Sequence, residues 1–472
     1  MDLIGRHAER ATFDHCLKNS ESRLIALYGR RRVGKTFLVR KYFEGKLRFE
    51  ISGLHNGDMQ EQLLHFSNTI ADYGLYEAGI KPATTWMEAF SLLRKLIDGM
   101  KGKKKKVLFI DELPWFDTQK SKFLMAFEHF WNDYCAKRSD VLMIICGSAA
   151  SWMIKKILKN KGGLHNRVSE RIRLTPFNLY ETQLFLKAKR IDWSRYDITQ
   201  LYMTTGGVPY YLDAIRKGES VYQYVDRICF KKDGILQGEY EELFQSLFDG
   251  SSNHYNVVAT LADKKKGLTR NEIVKQSNLS SGGTLTKVLD ELIESGFVQQ
   301  AVPYQKNKTK ALYKLIDSFV IFYHKFMKDA KVSTMPHWLN MVNKQSWISW
   351  SGLAFERLCH YHKDQIRKSL RLEAIQSEIS SWSNDEAQVD MLIDRADRIV
   401  NLCEIKFYND EYTIDKSYAA RLRKKKAQLA NLKSSKRKSI FITMITAFGV
   451  KDNQYYKELV QSQVTLSALF KS

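Results

Sequence analysis

The 472-residue sequence predicts a multidomain α/β protein. Three observations carry that expectation. Up to about Phe177, short apolar runs alternate with amphipathic helical stretches, the pattern of an open parallel sheet. The stretch LIALYGRRRVGKTFLVR, Leu24 to Arg40, reads as strand, glycine-rich loop and helix. Near the C terminus, Ala387 to Asp394 and Ile399 to Phe407 flank a short turn and read as an antiparallel hairpin. Composition narrows the class. A hydrophobic fraction of 44% is ordinary for a globular chain. No apolar run is long enough to span a bilayer, and the start, MDLIGRHAER, lacks a signal-peptide core, so a cytoplasmic protein without a membrane partner is expected. The six cysteines, Cys16, Cys135, Cys146, Cys229, Cys359 and Cys403, form no C-x-x-C pair and read as free thiols. With 75 basic against 52 acidic residues, the net charge of +23 favours a polyanionic partner, here double-stranded DNA.

In chain order, Ile4-Gly5-Arg6 with Glu9 precedes a helical stretch. Leu24 to Tyr28 is a strand buried on both faces. Gly29, Arg30, Arg31, Arg32, Val33, Gly34, Lys35 and Thr36 then match G-x-x-x-x-G-K-[ST], and Phe37 continues the helix that Thr36 begins. Gly29 and Gly34 allow backbone N–H groups to converge on an anion, at the positive end of that helix. Lys35 can reach the β- and γ-phosphates of ATP, and Thr36 can hold Mg²⁺. Leu47 to Ile51 is a second strand; Met59 to Tyr73 and Thr84 to Met100 are helices. Lys101 to Lys106 reads as a solvated loop. Val107 to Ile110 is a strand ending in Asp111, a Mg²⁺ ligand, and Glu112, the base for the attacking water. A helix from Gln119 to Ala136 leads to the strand Val141 to Cys146, ending in Gly147-Ser148. Arg167, Arg171 and Arg173, around a strand from Ile172 to Phe177, include candidates to stabilise a γ-phosphate in cis or in trans.

I-G-R-x-x-E, Y-G-R-R-R-V-G-K-T, the Asp-Glu strand end and T-G-G-V-P-Y-Y at Thr205 to Tyr211 resemble the AAA-type ATPases, more closely their prokaryotic STAND-type branch. The resemblance implies an ATPase core over 1–177 and a helical lid and connector over 178–250. It also implies a polar sensor at Ser148 and a nucleotide contact from Gly207-Val208-Pro209, centred on Pro209, and it leaves a homo-oligomer open. Read from the residues, Gly206-Gly207 with Pro209 stops one helix and starts another. Over 251–316, two helices around a turn and then two strands flanking a basic loop, Lys306 to Lys310, read as a winged helix. Its second helix suits a major groove with the wing on the backbone, or the module is a rigid connector. Asp317 to Lys328 is an aromatic docking helix within a helical linker, 317–346.

From 347 to 472 the sequence reads as a second α/β domain. Ser351 to Glu356 opens a helix with Glu356 near its start. Strand period puts Glu404 and Lys406 on one face of the hairpin. Asp390 and Glu404 can hold a metal ion, while Lys406 positions water or meets charge developing on a phosphate. Asp390 followed by Glu404-Ile405-Lys406, with Glu356 on the preceding helix, resembles the PD-(D/E)xK nucleases of restriction-endonuclease-like fold; Val389 stands where proline is usual. The basic helix Arg421 to Lys426, with Lys433 and Lys436 to Lys438, can follow a phosphate backbone. His360 and His362 are two apart and do not read as a metal pair. The expected function is Mg²⁺-dependent ATP hydrolysis that regulates DNA cleavage. The alternative is an ATP-driven switch or transcription regulator that binds DNA or protein without cutting.

Overall fold

The computed structural model describes residues 3–74, 81–102, 104–148, 150–158, 164, 166–248, 250–330, 338–342, 344–384, 386–432 and 436–472. Lys103 of the first basic run and Lys433 of the second lie outside them. The chain divides into two units, Met1–Thr175 with Leu243–Gly250, and Pro176–Glu242 with Ser251–Ser472.

The first unit holds strands β1 (Arg23–Tyr28), β2 (Leu47–Ser52), β3 (Lys106–Asp111), β4 (Val141–Gly147) and β5 (Glu170–Arg173). They form one parallel sheet in the order β2-β3-β4-β1-β5. Strand period explains why the central strands β1, β3 and β4 carry continuous apolar stretches. Leu24 and Ala26 of β1 enter a core with Phe49, Phe66 and Trp86; Ile25 and Leu27 enter the opposite core with Phe13, Val39 and Phe43. Because β3, β4 and β1 are parallel neighbours, Asp111, Ser148 and Gly29 emerge at the same, C-terminal end of the sheet.

Several boundaries differ from the sequence expectation, each for a local reason. Lys106 belongs to β3, not to a solvated loop: its Nζ is 2.8 Å from Asp140, a partner that permits burial. The helix expected from Gln119 begins at Phe123, after a short turn Leu113–Phe116 that Pro114 opens. β5 ends at Arg173 rather than Phe177, just before Thr175-Pro176. Arg167 lies toward the start of β1, where Ser169 N donates to Leu24 O at 2.8 Å. That is the opposite end of the sheet from Gly29, so Arg167 cannot serve the loop of its own chain. Arg173, opposite Tyr28, is at the loop's end.

The second unit begins with helices Leu179–Ala188, Arg195–Thr205, Pro209–Asp213 and Val221–Cys229. Helices Ser252–Ala262, Arg270–Ser277 and Gly283–Glu294 then accompany β6 (Leu268–Thr269), β7 (Val298–Ala301) and β8 (Leu312–Leu315), paired antiparallel as β6-β8-β7. The root of the β7–β8 loop is anchored on the C-terminal sheet. Tyr304 is 9% exposed; its N donates to Ser381 O at 2.9 Å and its hydroxyl to Asp394 Oδ2 at 3.1 Å. The basic loop expected over Lys306 to Lys310 lies beyond this anchor, with Lys306, Asn307, Thr309 and Lys310 exposed.

The last sheet comprises β9 (Ser377–Ser383), β10 (Gln388–Arg395), β11 (Ile399–Lys406), β12 (Ser439–Thr446) and β13 (Val460–Thr465), in the order β13-β12-β11-β10-β9. β9, β10 and β11 are antiparallel; β11, β12 and β13 are parallel. The preceding helix runs Gln345–Tyr361, so Glu356 falls in its second half rather than near its start. Trp347 and Trp350 extend that helix by packing on Phe326. Among the described residues no helix is long and apolar enough to cross a membrane, and all six cysteines are free and buried.

Candidate active sites

The loop after β1 is shaped by approaches that only glycine tolerates. Gly29 has φ +147, and a Cβ there would meet Leu174 O at 2.3 Å. Gly34, at φ +88, turns the chain into helix Lys35–Tyr42. Lys35 is 6% exposed, and its Nζ donates to Gly29 O at 3.0 Å and Arg30 O at 3.1 Å. Arg30 and Val33 are buried, Arg32 and Thr36 are half-buried, and Arg31 and Phe37 are exposed. Arg6 braces the loop from outside. It donates to Val33 O at 3.3 Å and to Thr175 O at 2.8 Å, and pairs with Glu9 at 3.6 Å. The I-G-R-x-x-E pattern signalled this arginine, but only the fold reveals what it holds.

Thr36 Oγ1 donates to Asp111 Oδ2 at 2.6 Å, across from β3. Asp111 is 4% exposed, and its Oδ1 accepts from Glu112 N at 2.9 Å. A hydroxyl and a carboxylate converging beside an anion-binding loop are hard oxygen donors that suit Mg²⁺. Glu112 adopts a left-handed conformation, φ 44. Its Oε2 accepts from Ser148 N at 3.0 Å and Ser148 Oγ at 2.8 Å. Gly147 makes this approach possible, since a Cβ there would meet Pro114 Cδ at 2.8 Å. Ser148 thus grips Glu112, a role that sequence spacing gave no sign of.

In the second unit, Pro209 starts its helix after Gly207, whose O accepts from Phe177 N at 2.7 Å. A Cβ on Gly207 would meet Phe177 O at 1.9 Å.

The C-terminal cluster forms where β10 and β11 pair. Met391 faces Cys403 in the register, so the next step sets Asp390 opposite Glu404. A register shift between Val389 and Leu392 against β9 turns the strand at this point. Asp390 Oδ2 accepts from Ile405 N at 3.1 Å, and Asp390 O accepts from His360 Nε2 at 3.0 Å. Glu404 is fully buried, with Tyr418 OH at 2.8 Å, Lys425 Nζ at 2.5 Å and Lys406 Nζ at 3.9 Å. Lys406 also lies 5.2 Å over the Tyr418 ring. Burial, then the charge of Asp390, raises the Glu404 carboxyl above its ordinary range and lifts Glu356 to about 7. The buried Glu404 and the half-buried Glu356 each feel the charge of half-buried Asp390, and carboxylates so placed are hard donors of the kind that suit a divalent cation. Yet among the described residues no three His, Cys, Asp or Glu side chains are gathered as a ready metal site. Lys425 is the residue that sequence reading missed here, having been counted with a basic surface. Much of that surface is paired internally: Arg423 with Glu458 at 2.6 Å, Lys424 with Glu386 at 2.9 Å and Lys438 with Asp394 at 2.6 Å.

His362 ties the same helix region to the helical part of the unit. Its Nε2 accepts from Leu179 N at 3.1 Å, so the proton sits on Nδ1, which donates to Leu358 O at 3.0 Å. Burial pushes its pKa down to about 4. The unfolded chain therefore binds this proton at higher pH than the folded one. The His362 contribution is fully present above about 6.5 and lost as pH falls toward 4, at up to ~1.4 kcal/mol per pH unit. Glu356 acts in the opposite sense, losing stability as pH rises toward 7. Comparing wild type with His362→Gln isolates the histidine: thermal melts at pH 7.5 to 4.5 should fall more steeply in wild type, and parallel curves would contradict a neutral buried His362.

Residues 4–215 match the sequence model of a family described as an ATPase domain predominantly from Archaea. An uncharacterized protein of Methanocaldococcus jannaschii, MJECL04, is 22% identical over 399 residues, covering 83% of this chain and 84% of that protein. Among solved structures, the Walker-type ATPase PABY2304 of Pyrococcus abyssi aligns over 69% of this chain and 96% of its own, with 16% identity and a TM-score of 0.50. The Aeropyrum pernix ORC2 protein in its ADPNP–ADP complexes aligns over 68% and 93%, with 13% identity and a TM-score of 0.39. Residues 4–215 thus match an ATPase-domain family model, and the chain shares the fold of the Walker-type ATPase structure: a parallel-sheet, P-loop ATPase-like core with a further mixed-sheet domain.

Proposed function

We propose that this chain is a Mg²⁺-dependent ATPase of the AAA/STAND type that regulates a C-terminal metal-dependent DNA nuclease of PD-(D/E)xK type, acting in the cytoplasm in defence or mobile-element biology. The observation that carries the ATPase half is the 2.6 Å bond from Thr36 to Asp111 beside Lys35. Gly29 to Phe37 cradle the phosphates, Lys35 meets the β- and γ-phosphates, and Glu112 takes the proton of the attacking water. The region 178–250 acts as a lid with Pro209 toward the nucleotide, and 251–316 acts as a winged helix that binds DNA or links the domains. For the nuclease half the support is the gathering of Asp390, Glu404 and Lys406 at one end of the β10–β11 pair. Mg²⁺, when bound, neutralises phosphate charge at either site and acidifies water at the second. Asp390 and Glu404 hold it there, Glu356 supports them, and Lys406 meets charge on the scissile phosphate.

The test is a plasmid incubated with the protein, Mg²⁺ or Mn²⁺, and ATP. Wild type should cut, and Lys406→Ala should cut at least ~10²-fold more slowly while hydrolysing ATP normally, as for removal of one transition-state donor. A second reading, a nucleotide-driven switch that binds DNA or protein without cutting, is favoured by one observation: Glu404 is already engaged by Lys425 and Tyr418. Intact ATP hydrolysis and DNA retention with no cleavage under any metal would select it.

A further inference from the structure

Lys425 differs from its neighbours on helix Lys416–Ala430. Arg423 and Lys424 reach outward to half-exposed carboxylates. Lys425 turns inward: its side chain is 19% exposed, and its Nζ lies 2.5 Å from Oε1 of the fully buried Glu404. Tyr418 takes Oε2 at 2.8 Å. Tyr418 and Lys425 are about two helical turns apart, so one helix face presents both groups to one carboxylate. Both Glu404 oxygens are therefore engaged by this chain's own donors.

We infer that Lys425 is an internal cation that competes with a divalent metal ion for Glu404, so that metal loads only as the lysine swings out. The inference rests on the metal-dependent reading of Asp390 and Glu404. A buried Glu404 next to Asp390 needs a positive partner to stay ionised, and either an ammonium or a metal ion meets that need. Both cannot bind Oε1 together, because two cations would then stand within a few ångströms in a low-dielectric site. Lysine suits a displaceable partner: it is a compact charge on a flexible stem, and its partial exposure gives it a way out.

The experiment is calorimetric titration of the full chain with Mn²⁺ in the absence of nucleotide, counting only the binding that Asp390→Asn abolishes. Lys425→Met should bind Mn²⁺ at least ~10-fold more tightly than wild type, the worth of one charge-assisted hydrogen bond. Lys425→Arg, which keeps the charge, should gain nothing. If Lys425→Met leaves Glu404 too poorly compensated to fold, Lys425→Gln keeps a neutral hydrogen bond to Oε1 and should also gain affinity. Equal Mn²⁺ affinity in wild type and both neutral variants overturns the competition while leaving the metal site standing. Mn²⁺ binding by none of the folded proteins overturns the metal reading itself, and the competition with it.

Discussion

Lys35→Ala is expected to lower ATP affinity by ~10²-fold or more, since a phosphate then loses two charge-assisted hydrogen bonds from one ammonium. Lys35 is nearly buried at the first position of its helix, and its Nζ rests on Gly29 O and Arg30 O, at the rim of the anion-binding loop. Its neighbours cannot replace it. Arg31 is exposed, and Arg30 and Arg32 precede Gly34, where the backbone turns to give Lys35 its direction. The substitution also leaves two carbonyls without that donor, so a small drop in melting temperature without nucleotide should accompany it. Lys35→Met, which keeps most of the buried stem, separates the two effects: stability should largely return while affinity stays low. Calorimetric titration with ATP checks the claim, and wild-type affinity in either variant would refute the loop's role.

How much was legible depended on whether a residue acts along its own strand or across to another. β1, β3 and β4 were readable because each carries an unbroken apolar run, and a strand buried on both faces leaves that signature. The loop was readable because its glycines and lysine must fall at fixed spacing. β9, SEISSWS, left no such trace: four of its seven residues are serine, one of them, Ser380, at a buried position, and the sequence reading passed over it. Lys106 was misread because a lysine in a basic run looks solvated until Asp140 is seen beside it. The grip of Ser148 on Glu112, the Arg6 brace and the inward turn of Lys425 all join residues far apart in sequence. Periodicity reports which face a residue takes, not which distant partner it meets there. The C-terminal cluster was partly legible for the same reason: alternation set Glu404 and Lys406 on one face, while the pairing that sets Asp390 opposite Glu404 had to come from the fold.

Glu112→Gln is expected to leave ATP affinity within a few-fold of wild type while hydrolysis falls by ~10²-fold or more, as for loss of a positioned base. The geometry separates the two effects. Asp111, not Glu112, meets Thr36 at 2.6 Å, so the phosphate and metal side of the site keeps its donors. Glutamine keeps an amide oxygen that can accept from Ser148 N and Ser148 Oγ, so the side chain can stay where those bonds now hold it. What it loses is the capacity to take a proton from water. Ser148→Ala makes the complementary change. The carboxylate survives, and the backbone N–H of residue 148 still donates, but the hydroxyl that fixes Oε2 is gone. Turnover should fall less than in Glu112→Gln, because the base is present but less well aimed. If affinity and turnover fall together in Glu112→Gln, then Glu112 holds the turn Leu113–Phe116 in place rather than acting on water, and the left-handed backbone at φ 44 would be its main contribution.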